Sequence, residues 1–351
     1  MAAFKWIYVT AAALLIVSVA SAQTRLTGAG ATFPEPLYKR WVAEYQKTQP
    51  QVTIDYQGIG SGGGIKGIID RTIDFAASDV PMTAAQIQLG GGGQNLLEIP
   101  TCAGAVAPAC NLPMAGDLKF TADLLAKIYL GKITNWNDPA IAKLNAGLIL
   151  PNLSITPVYR ADGSGTNFIF TSYLAAQSEE FKESIGIGDQ VQWPVGQGGK
   201  GNPGVAAAIQ QIPGSIGFIE QNYADKNGLA YGSVQNRAGK FIKASPATVA
   251  AASATAQFDG PLLAANIWDH SGDDAYPISS FTYLIVYRNL SNIRSPQQAQ
   301  ALAGFLWWAT HDGQKIAADL DYTPLDPAAV RKVSEALAGL SYGSIALQRP
   351  Q

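Results

Sequence analysis

The feature of this sequence that most constrains its fold is the alternation of strand-like and helix-like segments along most of the chain. Short apolar runs bounded by turn residues predict strands at residues 25–28, 51–56, 73–77 and 154–160. Apolar residues at helical spacing predict helices at residues 36–46, 65–72, 121–130, 167–176, 297–310 and 327–340. This alternation indicates βαβ units and therefore an α/β fold with largely parallel sheets. A chain of 351 residues exceeds one typical hydrophobic core, so we expect two domains.

The first 22 residues have the pattern of a secretory signal peptide. Lys5 gives a positive start, residues 7–19 are mostly apolar, and residues 20–22 read ASA, which is an A-x-A cleavage site. The alternative is a membrane anchor, but the apolar run is shorter than the roughly 20 residues that a spanning helix needs. We therefore predict cleavage after Ala22 and export of the remaining chain.

The charge of the mature chain argues against two classes of partner. Lys5 is the only charged residue of the signal segment, so residues 23–351 hold 23 basic and 26 acidic residues, a formal charge of −3. Nucleic acids and anionic membranes bind to basic surfaces, and neither partner is expected here. The mature chain also contains no run of 18 apolar residues, so the sequence predicts a soluble protein.

Cys102 and Cys110 are the only cysteines, and export would permit a disulfide between them. Eight residues of extended chain span roughly 26 Å, far more than a disulfide can bridge. A bend at Gly104 or Pro108 would be needed to bring the two sulfur atoms together. The extended conformation favours two buried thiols, and the disulfide stays open as the alternative.

Three glycine-rich turns share one design, in which a predicted strand leads through glycine and a hydroxyl residue into a predicted helix. Backbone N–H groups at the start of a helix have no internal partner, and the helix dipole adds positive charge there. Glycine lets an anion approach this backbone, so such turns suit phosphate, sulfate or carboxylate. A single turn of this kind is weak evidence, because serine and threonine are also ordinary helix caps. Three of them indicate a shared ligand, and they are LTGAGATFP (26–34), QGIGSGGG (57–64) and RADGSGTN (160–167).

Two charged residues make the prediction of an anion site sharper. Arg160 and Asp162 are two positions apart after a strand, so both side chains are expected on one face. Arg160 could then bind an oxyanion with its guanidinium group while Asp162 orients that group. The alternative is an exposed ion pair, which would stabilise the fold only slightly.

Asp79 lies at the end of a short apolar strand. Its ionised carboxylate would repel an anion that is bound beside it. The arrangement is favourable if the anion carries a proton that it donates to Asp79. Phosphate carries such protons at neutral pH and sulfate does not. Asp79 would therefore reject sulfate, because two acceptors would face each other without a proton between them.

Six segments of the chain, taken in order, resemble the PstS family, the phosphate-binding proteins of a bacterial high-affinity ABC transporter. The resemblance extends over nearly the whole mature chain and weakens only in about the last thirty residues. The segments are LTGAGATFPEPLY (26–38), YQGIGSGGGIKGIID (56–70), DFAASDVPM (74–82), IYLGKITNWND (128–138), RADGSGTNFIFTSYL (160–174) and WPVGQGGKGNPGVA (193–206).

The resemblance implies a periplasmic binding protein fold, with two α/β lobes, a strand hinge and the ligand buried in the cleft between the lobes. The first lobe is expected to be discontinuous, with residues 23–99 and 277–351, and the second lobe is expected at residues 101–276. The hinge would be two crossings near Pro100 and Tyr276. The implied phosphate donors are Thr32, Phe33 through its backbone N–H, Ser61, Arg160, Ser164, Gly165 and Thr166, with Asp79 as the proton acceptor and Asp162 as the partner that orients the arginine.

The same resemblance implies a monomeric protein of the periplasm that delivers phosphate to the transmembrane permease of an ABC transporter. It implies no catalysis, no cofactor, no metal and no contact with nucleic acid. The sequence departs from the family at Cys102 and Cys110, where aliphatic residues are usual, and this leaves the redox state of the hinge open.

Three alternative functions have weaker support in the sequence. Gly58, Gly60 and Gly63 match a dinucleotide fingerprint, but the predicted export and the two other anion turns argue against a nicotinamide enzyme. A weak phosphatase lacks a supporting motif at the predicted site, since His270 and His311 have no metal-site spacing and neither Ser61 nor Ser164 sits in a G-x-S-x-G element. A structural or adhesive role is the third alternative, and tight stoichiometric phosphate binding would argue against it.

Overall fold

The computed structural model describes residues 23–113, 116–254, 256–258, 260 and 262–348. The predicted signal peptide therefore lies outside the described residues. Within these ranges the strands are β1 (Thr24–Gly30), β2 (Val52–Gly58), β3 (Phe75–Ser78), β4 (Leu96–Cys110), β5 (Lys119–Phe120), β6 (Thr156–Arg160), β7 (Gln197–Gly199), β8 (Ser215–Glu220), β9 (Ala230–Tyr231), β10 (Ser233–Gln235), β11 (Phe241–Ile242), β12 (Ser279–Tyr287), β13 (Ser341–Tyr342) and β14 (Ile345–Ala346).

The α-helices begin mostly where a side chain caps the first turn. Ser164, Ser295 and Asp326 each accept a hydrogen bond from the backbone N–H three residues later, which satisfies a donor that has no partner inside the helix. The helices are α1 (Glu35–Thr48), α2 (Ser61–Ile69), α3 (Ala84–Leu89), α4 (Ala122–Tyr129), α5 (Pro139–Leu144), α6 (Gly165–Gln177), α7 (Glu179–Ser184), α8 (Gly201–Gln211), α9 (Gln221–Lys226), α10 (Pro246–Ser253), α11 (Pro296–Thr310), α12 (Gln314–Asp319) and α13 (Pro327–Leu337).

A single large sheet runs through the molecule in the strand order β2-β1-β3-β12-β4-β8-β6-β7. At one end β1 is parallel to β2 and β3, and at the other end β6 is parallel to β7 and β8. The central strands β12 and β4 are antiparallel to their neighbours. The α/β architecture predicted from the sequence is thus present, with one parallel group of strands on each side of an antiparallel centre.

The strand β4 connects the two parallel groups. Its residues up to Ala105 pair with β12, and its residues from Val106 onward pair with β8. We call the strands and helices around β1, β2, β3 and β12 the first lobe, and those around β6, β7 and β8 the second lobe. The predicted lobe boundaries, with crossings near Pro100 and Tyr276, stay a prediction.

The helix α2 differs from its prediction. It was expected at residues 65–72, but it begins at Ser61 and ends at Ile69. Gly60 has a φ of +91°, which lets the chain turn directly from β2 into the helix. The first turn is then made of glycines that lie close to the sheet, and a Cβ atom at Gly64 would be 2.7 Å from the Cα atom of Gly30. Helix propensity assigns such glycines to a loop, whereas tertiary packing places them in the helix.

Each lobe has its own group of packed aromatic rings. In the first lobe the Tyr38 ring stacks on Trp41 with centroids 5.3 Å apart. In the second lobe the Phe170 ring stacks on Phe218 with centroids 4.2 Å apart. The large buried tryptophan side chains also satisfy their polar atoms, since the Trp41 indole donates to the carbonyl of Gly313 at 2.7 Å. These rigid cores fix the ends of the strands on which the candidate site is built.

Cys102 and Cys110 are free thiols and both are buried on β4. The extended strand between them agrees with the conformation that favoured two thiols over a disulfide. In the part of the chain that the structure describes, none of the helices is long and apolar enough to cross a membrane.

Candidate functional site

The candidate site lies where the carboxyl ends of the parallel strands of both lobes meet. The turn after β1 carries Thr32 and Phe33, and the turn after β2 carries Ser61. Asp79 follows β3. In the second lobe, the turn between β6 and α6 carries the remaining predicted residues, which are Arg160, Asp162, Ser164, Gly165 and Thr166. Ligands of open α/β sheets bind at this edge because the loops and helix N-termini converge there.

Direct hydrogen bonds join the two lobes at Ser61. Its hydroxyl oxygen accepts from the backbone N–H of Gly165 at 3.2 Å and from that of Asp79 at 3.3 Å. The backbone N–H of Gly62 donates to the carbonyl of Gly163 at 3.0 Å. The start of α2 and the start of α6 therefore touch each other, and the lobes are closed.

Arg160 and Asp162 form a two-point pair, as the sequence spacing predicted. The Arg160 Nε atom donates to Asp162 Oδ1 at 2.9 Å, and the Nη2 atom donates to Asp162 Oδ2 at 2.5 Å. The alternative of an exposed ion pair is wrong, because the Arg160 side chain is only 1% exposed and that of Asp162 12%. The Arg160 Nη1 atom donates to the hydroxyl of Thr166 at 3.2 Å, so the guanidinium plane is held on two sides.

Ser164 acts as the cap of α6. Its hydroxyl accepts from the backbone N–H of Asn167 at 3.1 Å, and its own backbone N–H donates to the carbonyl of Asp189 at 2.9 Å. The backbone N–H groups of Phe33, Ser61 and Thr166 differ from that of Ser164, because none of the described residues accepts a hydrogen bond from them. Buried N–H groups are rarely left without an acceptor, so these donors point to an acceptor from outside the chain.

Asp79 is the acidic group at the centre of the site and is 1% exposed. Its Oδ1 atom accepts from the Thr282 hydroxyl at 2.8 Å, and its Oδ2 atom lies 3.4 Å from the Ser61 hydroxyl. Burial raises the pKa of Asp79 to about 7, although the bonds from Thr282 and Ser61 and the charge of Arg160 act in the opposite direction. Asp79 can therefore hold or accept a proton near neutral pH.

Two residues at the site were missed by sequence reasoning. Thr282 is on β12, and it reaches Asp79 only because distant strands pair. Asn202 is at the start of α8 and completely buried, and its side-chain amide donates to the hydroxyls of Thr32 and Thr166. The signal for Asn202 was present, because the segment QGGKGN (197–202), which runs from β7 into α8, is a fourth glycine-rich turn from a strand into a helix.

The charges around the site favour one buried anion and give no support to a metal. Arg160 is the buried cation, and the N-termini of α2, α6 and α8 add partial positive charge. A second carboxyl, that of Glu220, is also buried, and this burial raises its pKa well above the ordinary value. Among the residues described, no group of three or more His, Cys, Asp or Glu side chains is arranged to hold a metal ion.

Comparison with known proteins places the chain in a family. A model described as a PBP superfamily domain matches residues 17–312. The phosphate-binding protein PstS of Pasteurella multocida is 44% identical over 315 residues, which cover 89% of each chain. The protein of the same name from Haemophilus influenzae is 41% identical over 303 residues, which cover 86% of this chain and 88% of the relative.

Solved structures agree on the fold. The high-affinity periplasmic phosphate-binding protein PfluDING, solved with phosphate, matches with a TM-score of 0.75 at 18% identity and covers 93% of this chain and 99% of its own. A phosphate-binding protein from Stenotrophomonas maltophilia matches with a TM-score of 0.70 at 19% identity and covers 89% of this chain and 93% of its own. The fold is therefore that of the periplasmic binding proteins, and with relatives above 40% identity along most of its length the chain belongs to the PstS family.

Proposed function

We propose that this protein binds inorganic phosphate between its two lobes and delivers it to the permease of an ABC transporter. The observation that carries the proposal is the polarity of the buried site. Arg160, several hydroxyls and the unpartnered N–H groups of Phe33, Ser61 and Thr166 all donate. A tetrahedral oxyanion supplies acceptors in several directions, and burial strengthens each hydrogen bond because water is excluded.

The proposed ligand residues are those expected from the sequence. Thr32, Ser61, Ser164 and Thr166 contribute hydroxyl or backbone donors, and Arg160 contributes its guanidinium. Phe33 contributes its backbone N–H group, and the N–H of Gly165 would turn to the ligand from the Ser61 hydroxyl to which it donates in the structure. Asp162 holds the guanidinium in place. Asp79 accepts a proton of the ligand, which phosphate can supply and sulfate cannot. No covalent change of the ligand is involved, so the protein is a binding protein and not an enzyme.

The location and the domain boundaries belong to the same proposal. The signal-peptide pattern of residues 1–22 supports export, and the family resemblance supports the periplasm as the destination. Residues 23–99 and 277–351 would form the first lobe, and residues 101–276 the second. The protein would act as a monomer, without nucleic acid or cofactor.

Calorimetric titration tests the proposal. The mature protein is unfolded, freed of phosphate, refolded and titrated with phosphate and with sulfate at neutral pH. We expect tight binding of one phosphate per chain and no heat from sulfate. If neither anion binds, the glycine turns are helix caps only, and the proposed function is wrong.

A further inference from the structure

Asn202 occupies a position that links both lobes through hydroxyl groups of the site. Its Nδ2 atom donates to Thr32 Oγ1 at 3.0 Å and to Thr166 Oγ1 at 3.3 Å, and its backbone N–H also donates to Thr32 Oγ1 at 3.0 Å. Thr32 belongs to the first lobe and Thr166 to the second. A single buried amide thus contacts two of the residues that the proposed function assigns to phosphate.

The orientation of this amide follows from a neighbouring backbone group. The backbone N–H of Glu220 donates to Asn202 Oδ1 at 3.0 Å. A backbone N–H is always a donor, so the atom that faces it must be the amide oxygen. The amide nitrogen therefore faces the two hydroxyls, and each of its two hydrogens has one acceptor.

The two hydroxyls then have no acceptor capacity left. A hydroxyl oxygen accepts at most two hydrogen bonds and donates one. Thr32 Oγ1 accepts twice from Asn202, and Thr166 Oγ1 accepts once from Asn202 and once from Arg160 Nη1. Neither hydroxyl donates to any described residue, so each proton is left for a ligand.

We infer that Asn202 is a positioning residue that fixes both hydroxyls as donors toward the anion. This inference rests on the proposed function and explains why both hydroxyls donate to the ligand and do not accept from it. With Asn202 in place, Thr32 and Thr166 cannot rotate to accept a proton from a ligand, and Asp79 is the acceptor that faces a protonated oxyanion. Asn202 thus directs the proton of phosphate away from both threonines.

The test compares Asn202→Ala with a matched control, Asn222→Ala. Asn222 is also a buried asparagine that links the lobes, since its Nδ2 atom donates to the carbonyl of Leu320 at 2.6 Å, but it contacts neither hydroxyl. Phosphate affinity is measured by calorimetry, and the thermal midpoint of each phosphate-free variant reports its stability. We expect Asn202→Ala to weaken phosphate binding about tenfold or more and Asn222→Ala to leave the affinity nearly unchanged.

A double-mutant cycle separates positioning from general support of the fold. In a Thr32→Val, Thr166→Val background the hydroxyls are absent, so adding Asn202→Ala should have little further effect on the phosphate affinity. An equal loss with and without the hydroxyls would overturn the inference, as would equal affinities of the two alanine variants. If Asn202→Ala does not fold, Asn202→Ser replaces it, since one hydroxyl hydrogen can serve only one of the two threonines. In each of these cases wild-type binding of phosphate would keep the proposed function intact.

Discussion

Under the proposed function, selectivity between phosphate and sulfate depends on Asp79. Asp79→Asn keeps the shape of the side chain but supplies an N–H donor in place of an acceptor. We expect this variant to gain sulfate binding and to lose at least about tenfold in phosphate affinity, because the ligand proton no longer has an acceptor. The dissociation constants for both anions, measured by calorimetry, give the selectivity directly.

Asp162→Asn is the matched control for this prediction. Asp162 contacts the guanidinium of Arg160 and a backbone N–H of Gly201. Its replacement should weaken phosphate binding without admitting sulfate. A variant Asp79→Asn that still excludes sulfate would contradict the role given to Asp79.

The buried carboxyls also predict how stability depends on pH. Burial raises the pKa of Asp79 and of Glu98 to about 7 in the folded protein. In an unfolded chain the pKa of each group is about 4. Between these values the folded state binds more protons than the unfolded state. The free energy of unfolding of phosphate-free protein should therefore fall as the pH rises from about 4 to about 7, and these groups should add no further change above that.

Urea unfolding at several pH values measures this slope. Glu98 is the simpler group to test because it has no hydrogen bond to any proposed ligand residue. Its Oε1 atom accepts from the backbone N–H of Met82, and its Oε2 atom has no hydrogen-bond partner. Glu98→Gln should remove a pH-dependent loss on the order of 3 kcal/mol. Glu183→Gln, on an exposed surface, is the control variant. A wild-type protein whose stability rises over this interval would contradict the prediction.

The residues of the site differed in how far the sequence revealed them. Charged side chains and hydroxyls beside glycine have a visible pattern, and all nine predicted residues lie at one edge of the sheet. Thr282 has no such pattern, since it is a threonine in a buried strand and lies 203 positions from Asp79 in the chain. Asn202 was not predicted, because an uncharged amide in a glycine-rich segment has no distinctive pattern, although its hydrogen bonds extend to both lobes.

At the scale of elements, the close packing of α2 on the sheet leads to a prediction about its glycines. A Cβ atom at Gly64 would lie 2.8 Å from the carbonyl oxygens of Ala29 and Ala77, which are backbone atoms that cannot move aside. Gly64→Ala should therefore displace α2 and with it Ser61. We expect a loss of about 1–3 kcal/mol in the free energy of unfolding and weaker phosphate binding.

Gly63→Ala is the control in the same helix. Its Cβ atom would meet only the side chain of Ile59, which is 40% exposed and free to move. The higher helix propensity of alanine should make this variant neutral or more stable by up to about 1 kcal/mol. Chemical denaturation of both variants decides the question, and equal stabilities would contradict the packing argument.

Elements with regular amphipathic patterns were predicted well, and α1, α6, α11 and α13 were each found within three residues of the predicted bounds. The start of α2 was wrong because local propensity and tertiary contact act in opposite directions on its glycines. No pattern in the sequence predicted that β4 pairs with β12 up to Ala105 and with β8 from Val106 onward. All fifteen residues of this strand are buried, so its pattern does not mark where one neighbouring strand ends and the next begins.

At the scale of the whole molecule, the contacts between the lobes predict a change of shape on binding. The lobes touch through Ser61 with Gly165, Thr32 with Asn202, and the Tyr322 hydroxyl with Glu220 at 3.2 Å. Phosphate would hold this closed form, which is that of the structure. Without the ligand, the unpartnered N–H groups of the site favour an open form in which water satisfies them.

Small-angle X-ray scattering measures the opening. With phosphate we expect a radius of gyration near the value of about 20 Å that is typical of a compact chain of this length. The phosphate-free protein should have a larger radius, and sulfate should not reduce it. Identical scattering curves with and without phosphate would contradict the hinge motion and leave the lobe boundaries unsupported.

The two thiols of β4 have a consequence for how the molecule unfolds. Cys102 pairs with Thr282 of β12, and Cys110 pairs with Ile216 of β8, so one thiol is buried beside a strand of the first lobe and the other beside a strand of the second. Both thiols are buried in the closed form, and we expect an alkylating reagent to reach each of them only when β4 separates from the neighbouring strand. Mass spectrometry of the two labelled peptides therefore measures, in one sample, whether the lobes unfold together as one cooperative unit or one after the other.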